Sequence, residues 1–307
     1  MNSSGSNLAR RSEAIRVWLL GGFQVSIGSR AIAQDAWHLK KAAVLVKLLA
    51  LAPGHRLHRE QAMDILWPNA GRKAASNSLR STLHAARKVL DPAVGSIYLA
   101  SEDESLVLCP AGSLWVDVDA FEQAVATARR SQDPAAYRAA LELYPGELLP
   151  DDRYEEWAEN RRQELRRVFL SVLVELAGLY EARGDYARGV EALQRSLSVE
   201  PTHEEAHTRL MRLHALSGRQ HEALTQYEQL SGALSKQFGT EPDVTTRRLR
   251  DDIAEGAFPT PPPLLNDPPQ EGSSDLRRHN LSEPRTSFVG REREILEVKR
   301  ALSATQP

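Results

Sequence analysis

Five cations and no acid occupy residues 71–90, GRKAASNSLRSTLHAARKVL. Read as a helix at 100° per residue, Leu83, Ala86 and Leu90 fall within about 40° of Leu79. Asn77, Ser81, His84 and Lys88 repeat the same i, i+4, i+7, i+11 spacing on the opposite face, flanked by Lys73 and Arg80, with Arg87 near the edge. One face is built to pack, and the other presents amide, hydroxyl, imidazole and cationic groups. Such groups suit the major groove of a duplex. Arg bonds bidentately to guanine O6/N7 and Asn to adenine N6/N7, while Lys and Ser reach phosphates. A carboxylate on this face would repel phosphates, which accounts for its absence. A basic helix taken alone is as readily a solvated surface, so its place among the other elements decides its meaning.

HEEAH at 203–207 matches H-E-x-x-H, whose histidines on one helix face can hold zinc with the intervening Glu204 as base. The extended form of that motif needs Gly and His where this chain has Leu210 and Leu213, and His214 stands one residue late. The segment follows Pro201 at the start of a helical pattern, where acidic and polar residues favour a helix N-terminus. It reads as a helix start. The sequence contains neither G-x-S-x-G nor the G-x-x-x-x-G-K-[ST] phosphate loop, and the acids of DDRYEE (151–156) read as solvated surface. No catalytic residue, metal or cofactor is expected.

The elements around the basic helix give it a context. IRVWLLGGFQVSIGSRAI (15–32) alternates about Gly21-Gly22 and reads as an antiparallel hairpin. HLKKAAVLVKLLALAPG (38–54) carries Ala42, Leu45, Leu48, Leu49 and Ala52 at helical spacing and stops at Pro53-Gly54. HREQAMDILWP (58–68) is a short second helix, the basic stretch a third, and SIYLASEDESLVLCPAG (96–112) a second hairpin. Strands, three helices and a hairpin outline a winged helix-turn-helix, with the third helix in the reading position. Lys40, Lys41 and Arg59 lie at the starts of the first two helices and are candidate phosphate contacts. The hairpin turn SEDES (101–105) carries three acids, which works against a wing tip seated in the minor groove.

From WVDVDAFEQAVATARR (115–130) onward the pattern is mostly helical, and Gly184-Asp185-Tyr186 recurs as Gly218-Arg219-Gln220 after 34 residues. That period, with helix-turn-helix patterning, is the tetratricopeptide signature, and such repeats leave a concave face able to hold a helix or peptide. The expected fold is mainly α. A winged helix-turn-helix with small β-sheets (15–112) precedes an all-helical tetratricopeptide-like domain (115–255). A disordered tail (1–14), a Pro-rich linker (256–285) and a short terminal stretch (286–307) complete the chain.

Charge divides along the same line. Residues 1–100 carry a net +9 and the remainder −11 in a chain of 307 residues and net −2. Such a split points to a polyanion-binding part joined to something else. The single cysteine, Cys109, excludes an internal disulfide and any cysteine-rich zinc site. The longest apolar run, 42–52, is interrupted by Lys47, so no membrane span is expected, and the N-terminus lacks an apolar signal core. These features fit a cytoplasmic protein.

With those residues assembled, the chain resembles the Streptomyces antibiotic regulatory protein family, in which an OmpR-type winged helix precedes a bacterial transcriptional activator domain. The resemblance spans roughly 15–255. It rests on LLALAPGHRLHREQAMDILWPNA and NSLRSTLHAARKVL at the front and on LYPGELLPDDRYEEWAENRRQELR (143–166) at the back. It implies sequence-specific binding of double-stranded DNA as a homodimer on promoter direct repeats, and recruitment of RNA polymerase. By position it places Arg72, Lys73, Asn77, Arg80, Ser81, His84, Arg87 and Lys88 in the recognition helix. It sets LYPGELLPD as a turn inside the helical domain, its Leu and Tyr packing. FVGREREI (288–295) resembles the lead-in to the ATPase domain of larger regulators of this group. The competing expectation is a repeat-type interaction adaptor without specific DNA binding.

Overall fold

The structure is a computed structural model that describes residues 13–91, 98–110 and 112–258. The Pro-rich and ATPase-like stretches beyond 258, and the expected tail except residues 13 and 14, lie outside the described residues. The described chain opens with β1 (Ile15–Trp18), β2 (Gln24–Ile27) and β3 (Arg30–Ile32). Next come α1 (Lys40–Leu51), β4 (Arg56–His58), α2 (Arg59–Leu66) and α3 (Arg72–Leu90). The hairpin strands β5 (Leu99–Glu102) and β6 (Ser105–Leu108) follow, and β4 joins them in a second sheet of order β4-β6-β5. Three residues are too few to show alternation, so β4 carries no sequence signal of its own.

β7 (Leu114–Val116) departs from the helical reading of 115–130. It pairs parallel with β1, Ile15 opposite Leu114 and Val17 opposite Val116, and completes a sheet of order β3-β2-β1-β7. The helical part consists of α4 (Asp117–Ser131), α5 (Pro134–Glu142), α6 (Glu156–Ala182), α7 (Tyr186–Val199), α8 (Glu204–Leu216), α9 (Gln220–Phe238) and α10 (Val244–Ala254). The turns from α6 to α7 and from α8 to α9 pass through Gly184 and Gly218, at φ 71° and 73°. This left-handed conformation is costly for any residue with a Cβ, so the glycines recurring at 34 residues mark two equivalent turns.

The segment 143–152 does more than turn. Leu149 N donates to Leu19 O and Gly21 N to Glu147 O, both at 2.8 Å, so this stretch runs as an extra edge beside the chain leaving β1. Gly146 and Gly21 make the approach possible, since a Cβ on Gly146 would lie 3.1 Å from the Gly21 Cα. Leu148 and Leu149 are buried, and Tyr144 stacks on Phe169 at 4.4 Å between ring centres.

Buried polar groups lock this joint. The Asp117 carboxylate accepts from Leu19 N, Leu20 N and Val118 N, each at 2.8 Å. Lys47 is buried on α1, its ammonium 2.5 Å from Asp152 and over the Phe23 ring. Arg162 on α6 holds the same segment by donating to the carbonyls of Leu148 and Asp152, both at 3.1 Å. His55 pairs with Asp119 at 3.1 Å, and that contact raises the imidazole pKa. With the sheet, α3 and the Asp152 segment all against it, α1 is buried over most of its circumference. All described residues belong to one compact unit.

Burial pushes the Asp117 carboxyl up from 3.8 to about 6, outweighing the three N–H donors that favour the ionised form. A carboxyl with a raised folded-state pKa holds its proton more tightly folded than unfolded, so its contribution to stability declines as pH rises from about 4 to about 6. The full span is about 3 kcal/mol. Urea unfolding of the wild type and of Asp117→Asn at pH 4.5 and 6.5 will show this decline in the wild type relative to the variant.

Candidate nucleic-acid interface

α3 is positioned from three sides. Its buried residues Ala75, Leu79, Thr82, Leu83, Ala86 and Leu90 face the core, and Arg30 on β3 donates to the Leu90 carbonyl at 2.8 Å. A capping box at His58, with Gln61 reaching back to the His58 N–H, fixes the start of α2. Gly71 caps α3 without a side-chain hydrogen bond. Backbone N–H groups at such a terminus favour an anion.

The eight cationic and polar candidates on α3 separate into two groups. Lys73, Asn77, Arg80, Ser81, His84 and Lys88 are exposed. Among the described residues none of their side chains meets another side chain, and Ser81 alone bonds locally, to the Asn77 carbonyl at 3.3 Å. Arg87 is committed within the protein, whereas Arg72 stays largely exposed. Arg72 lies about 20° from the packed stripe, toward α2, and pairs with Glu60. Arg87 is half-buried and donates to the Leu99 carbonyl at 2.8 Å and to Ser101 Oγ at 3.0 Å, clamping β5 to the helix.

The outlying cations divide in the same way. Lys40 is exposed at the first position of α1, and Arg59 is half-buried at the first position of α2, both without a side-chain hydrogen bond or ion pair among the described residues. Lys41 instead donates to the Leu66 carbonyl at the end of α2 and sits 5.4 Å from the centre of the Trp67 ring. Sequence reasoning missed Arg30, which bonds the end of α3, and Lys47, Asp117 and Arg162, which join α1 and the residues after β1 to the helical part. Only Lys47 left a signal, as the charge inside an apolar run.

His203 and His207 serve as struts between helices. His203 Nδ1 lies 2.8 Å from Ser196 Oγ. His207 Nε2 contacts the Pro201 carbonyl at 2.9 Å while Gln226 donates to its Nδ1 at 2.5 Å, so both ring nitrogens are occupied. Burial lowers the His207 pKa, consistent with a neutral ring. Glu204 accepts from the Asp243 N–H and from Thr246 Oγ1, tying α8 to α10. Among the described residues no cluster of three metal-ligating side chains occurs.

Residues 116–254 match the family described as the bacterial transcriptional activator domain. That match, with the relative below, supports a relation to the Streptomyces antibiotic regulatory protein family. Regulatory protein AfsR of Streptomyces coelicolor is 24% identical to it over 95% of this chain, and the chain spans 29% of that relative's length. The solved structure of Mycobacterium tuberculosis EmbR in complex with a low affinity phosphopeptide shares 22% identity, covering 81% of this chain and 66% of EmbR at a TM-score of 0.65. At that identity EmbR supports the fold, a mainly helical chain with small N-terminal sheets. In this chain the match begins at the last residue of β7 and takes in Asp117, so the activator domain carries the acid that binds the residues just after β1.

The division among the cations is testable by stability. Arg87→Ala is expected to lower the unfolding free energy by about 1–3 kcal/mol, through two lost hydrogen bonds to the wing. Lys88→Ala, on the exposed face, is expected to stay within about 0.5 kcal/mol of wild type. Parallel urea titrations check both.

Proposed function

We propose that this regulator binds double-stranded DNA sequence-specifically through α3, as a homodimer on promoter direct repeats, and activates transcription by recruiting RNA polymerase. The observation carrying this reading is the exposed face of α3. Lys73, Asn77, Arg80, Ser81, His84 and Lys88 share it without an acid among them, and among the described residues none of them is held in an ion pair. Groups left free in this way are available to base edges and phosphates. Lys40 and Arg59 at helix starts supply flanking phosphate contacts. Residues 15–112 are the reading unit on this account, and residues 115–255 supply the dimer and polymerase surfaces. The net charge of +9 over residues 1–100 supports approach to a polyanion.

Random-site selection with the full chain at about 100–150 mM salt tests the reading, because nonspecific phosphate attraction is already weak there. A directly repeated motif with a spacing near one helical turn is the expected result. Failure to recover any motif would leave an interaction adaptor built on the repeats. On the selected site, Arg80→Ala is expected to cost about 1–3 kcal/mol and to relax one base position. Lys88→Ala is expected to weaken all sequences alike and to flatten the salt dependence by about one phosphate contact. Competition binding with single-base site variants separates the two behaviours.

A further inference from the structure

The hairpin β5–β6 stands beside the reading helix with the opposite charge. Arg87 binds it at Leu99 and Ser101, one turn from His84 and next to Lys88. Asp103 follows two residues after Ser101, roughly 7 Å along the strand. The turn is held from two further directions. Arg56 on β4 pairs with Glu102 at 2.5 Å, and the Glu104 carbonyl accepts from the N–H of Arg59, the first residue of α2, at 2.8 Å. Arg56 neutralises Glu102. Asp103 and Glu104 are exposed, and neither carboxylate has a partner among the described residues. Asp103 takes φ 51°, a left-handed conformation that Asp and Asn tolerate better than most residues. The fold thus carries two exposed negative charges, without a partner among the described residues, at the tip of a hairpin bonded to α3 through Arg87.

We propose that this acidic tip bars the hairpin from the duplex and acts as a specificity determinant. Asp103 and Glu104 repel flanking phosphates, lower the affinity for every duplex regardless of sequence, and leave recognition to α3 alone. Base contacts by Asn77 and Arg80 are then needed for stable binding, because backbone attraction has been reduced. The inference rests on the DNA-binding reading above and adds a penalty to it. Arg87 acts here as a positioning residue, setting the distance between tip and helix.

The test uses the full chain with the isosteric pair Asp103→Asn and Glu104→Gln, which removes charge and keeps the turn. A control pair, Glu222→Gln and Glu228→Gln on α9, makes the same change in net charge elsewhere. Dissociation constants are measured for an unrelated duplex and for the selected site, at about 50 and 200 mM salt. The tip variant is expected to bind the unrelated duplex about three- to tenfold more tightly than the control pair at the lower salt, with the gain shrinking at the higher salt. The ratio of specific to nonspecific affinity falls accordingly. Equal affinities for tip and control variants would overturn the proposal by placing the tip away from the phosphates. Weaker binding by the tip variant would overturn it by showing that the acids assist assembly, as contacts to a second copy would. A wild-type chain that selects no DNA would remove the DNA-binding reading itself, an outcome separate from the other two.

Discussion

The two halves of this protein are joined by polar groups that are largely buried. Asp117 accepts three backbone N–H groups, two of them from the chain just beyond β1. Lys47 and Asp152 pair across the boundary between α1 and segment 143–152. Breaking one partner of such a set leaves the other unsatisfied in a low-dielectric setting, so the contacts persist together or fail together. The arrangement of everything else depends on this. α1 packs against α3, so the helix that carries the exposed basic face is positioned in part by the activator domain.

A consequence is that positive charge does two kinds of work in the N-terminal half. Arg30, Lys41, Lys47 and Arg87 close the structure, donating to carbonyls or pairing with an acid, while Arg72 meets Glu60 at the surface. Lys40, Lys73, Arg80 and Lys88 stay exposed, with no hydrogen-bond or ion-pair partner among the described residues. Arg serves readily in the first role because its planar fork can meet two acceptors at once, as Arg87 does with Leu99 and Ser101. The net basic charge of the region therefore overstates what it offers to a ligand. Burial and geometry decide the division.

The activator domain uses its polar residues in the same manner. The HEEAH segment, whose residue types suit a metal, instead sets the packing of α8 on α7, α9 and α10 through His203, His207 and Glu204. Neighbouring repeats are joined by these bonds as well as by apolar side chains, as in solenoids stabilised by contacts between adjacent units. The relative AfsR is much longer than this chain, and EmbR shares the architecture at low identity. In this chain the described N-terminal residues and the activator domain form one compact unit.

Much of the architecture was legible in local pattern. The apolar stripe of α3, the stop at Pro53-Gly54 and the 34-residue recurrence of Gly184 and Gly218 each follow from periodicity or backbone preference, which act over a few residues and survive in any context. The polar stripe of α3 was legible for the same reason, since the helix itself sets which residues share a face. Tertiary structure decided what those groups meet. β4 and β7 exist because partner strands distant in sequence complete their hydrogen bonds. Segment 143–152 becomes a sheet edge because Gly21 and Gly146 can touch. Lys47, which marks the interior apolar run as unfit for a membrane, is tolerated in the core because Asp152 arrives from 105 residues away. Arg87 was indistinguishable from the exposed cations of α3 until Leu99 and Ser101 stood beside it. Spacing reports direction from a helix axis, whereas commitment of a charge depends on an acceptor that only the folded chain brings near.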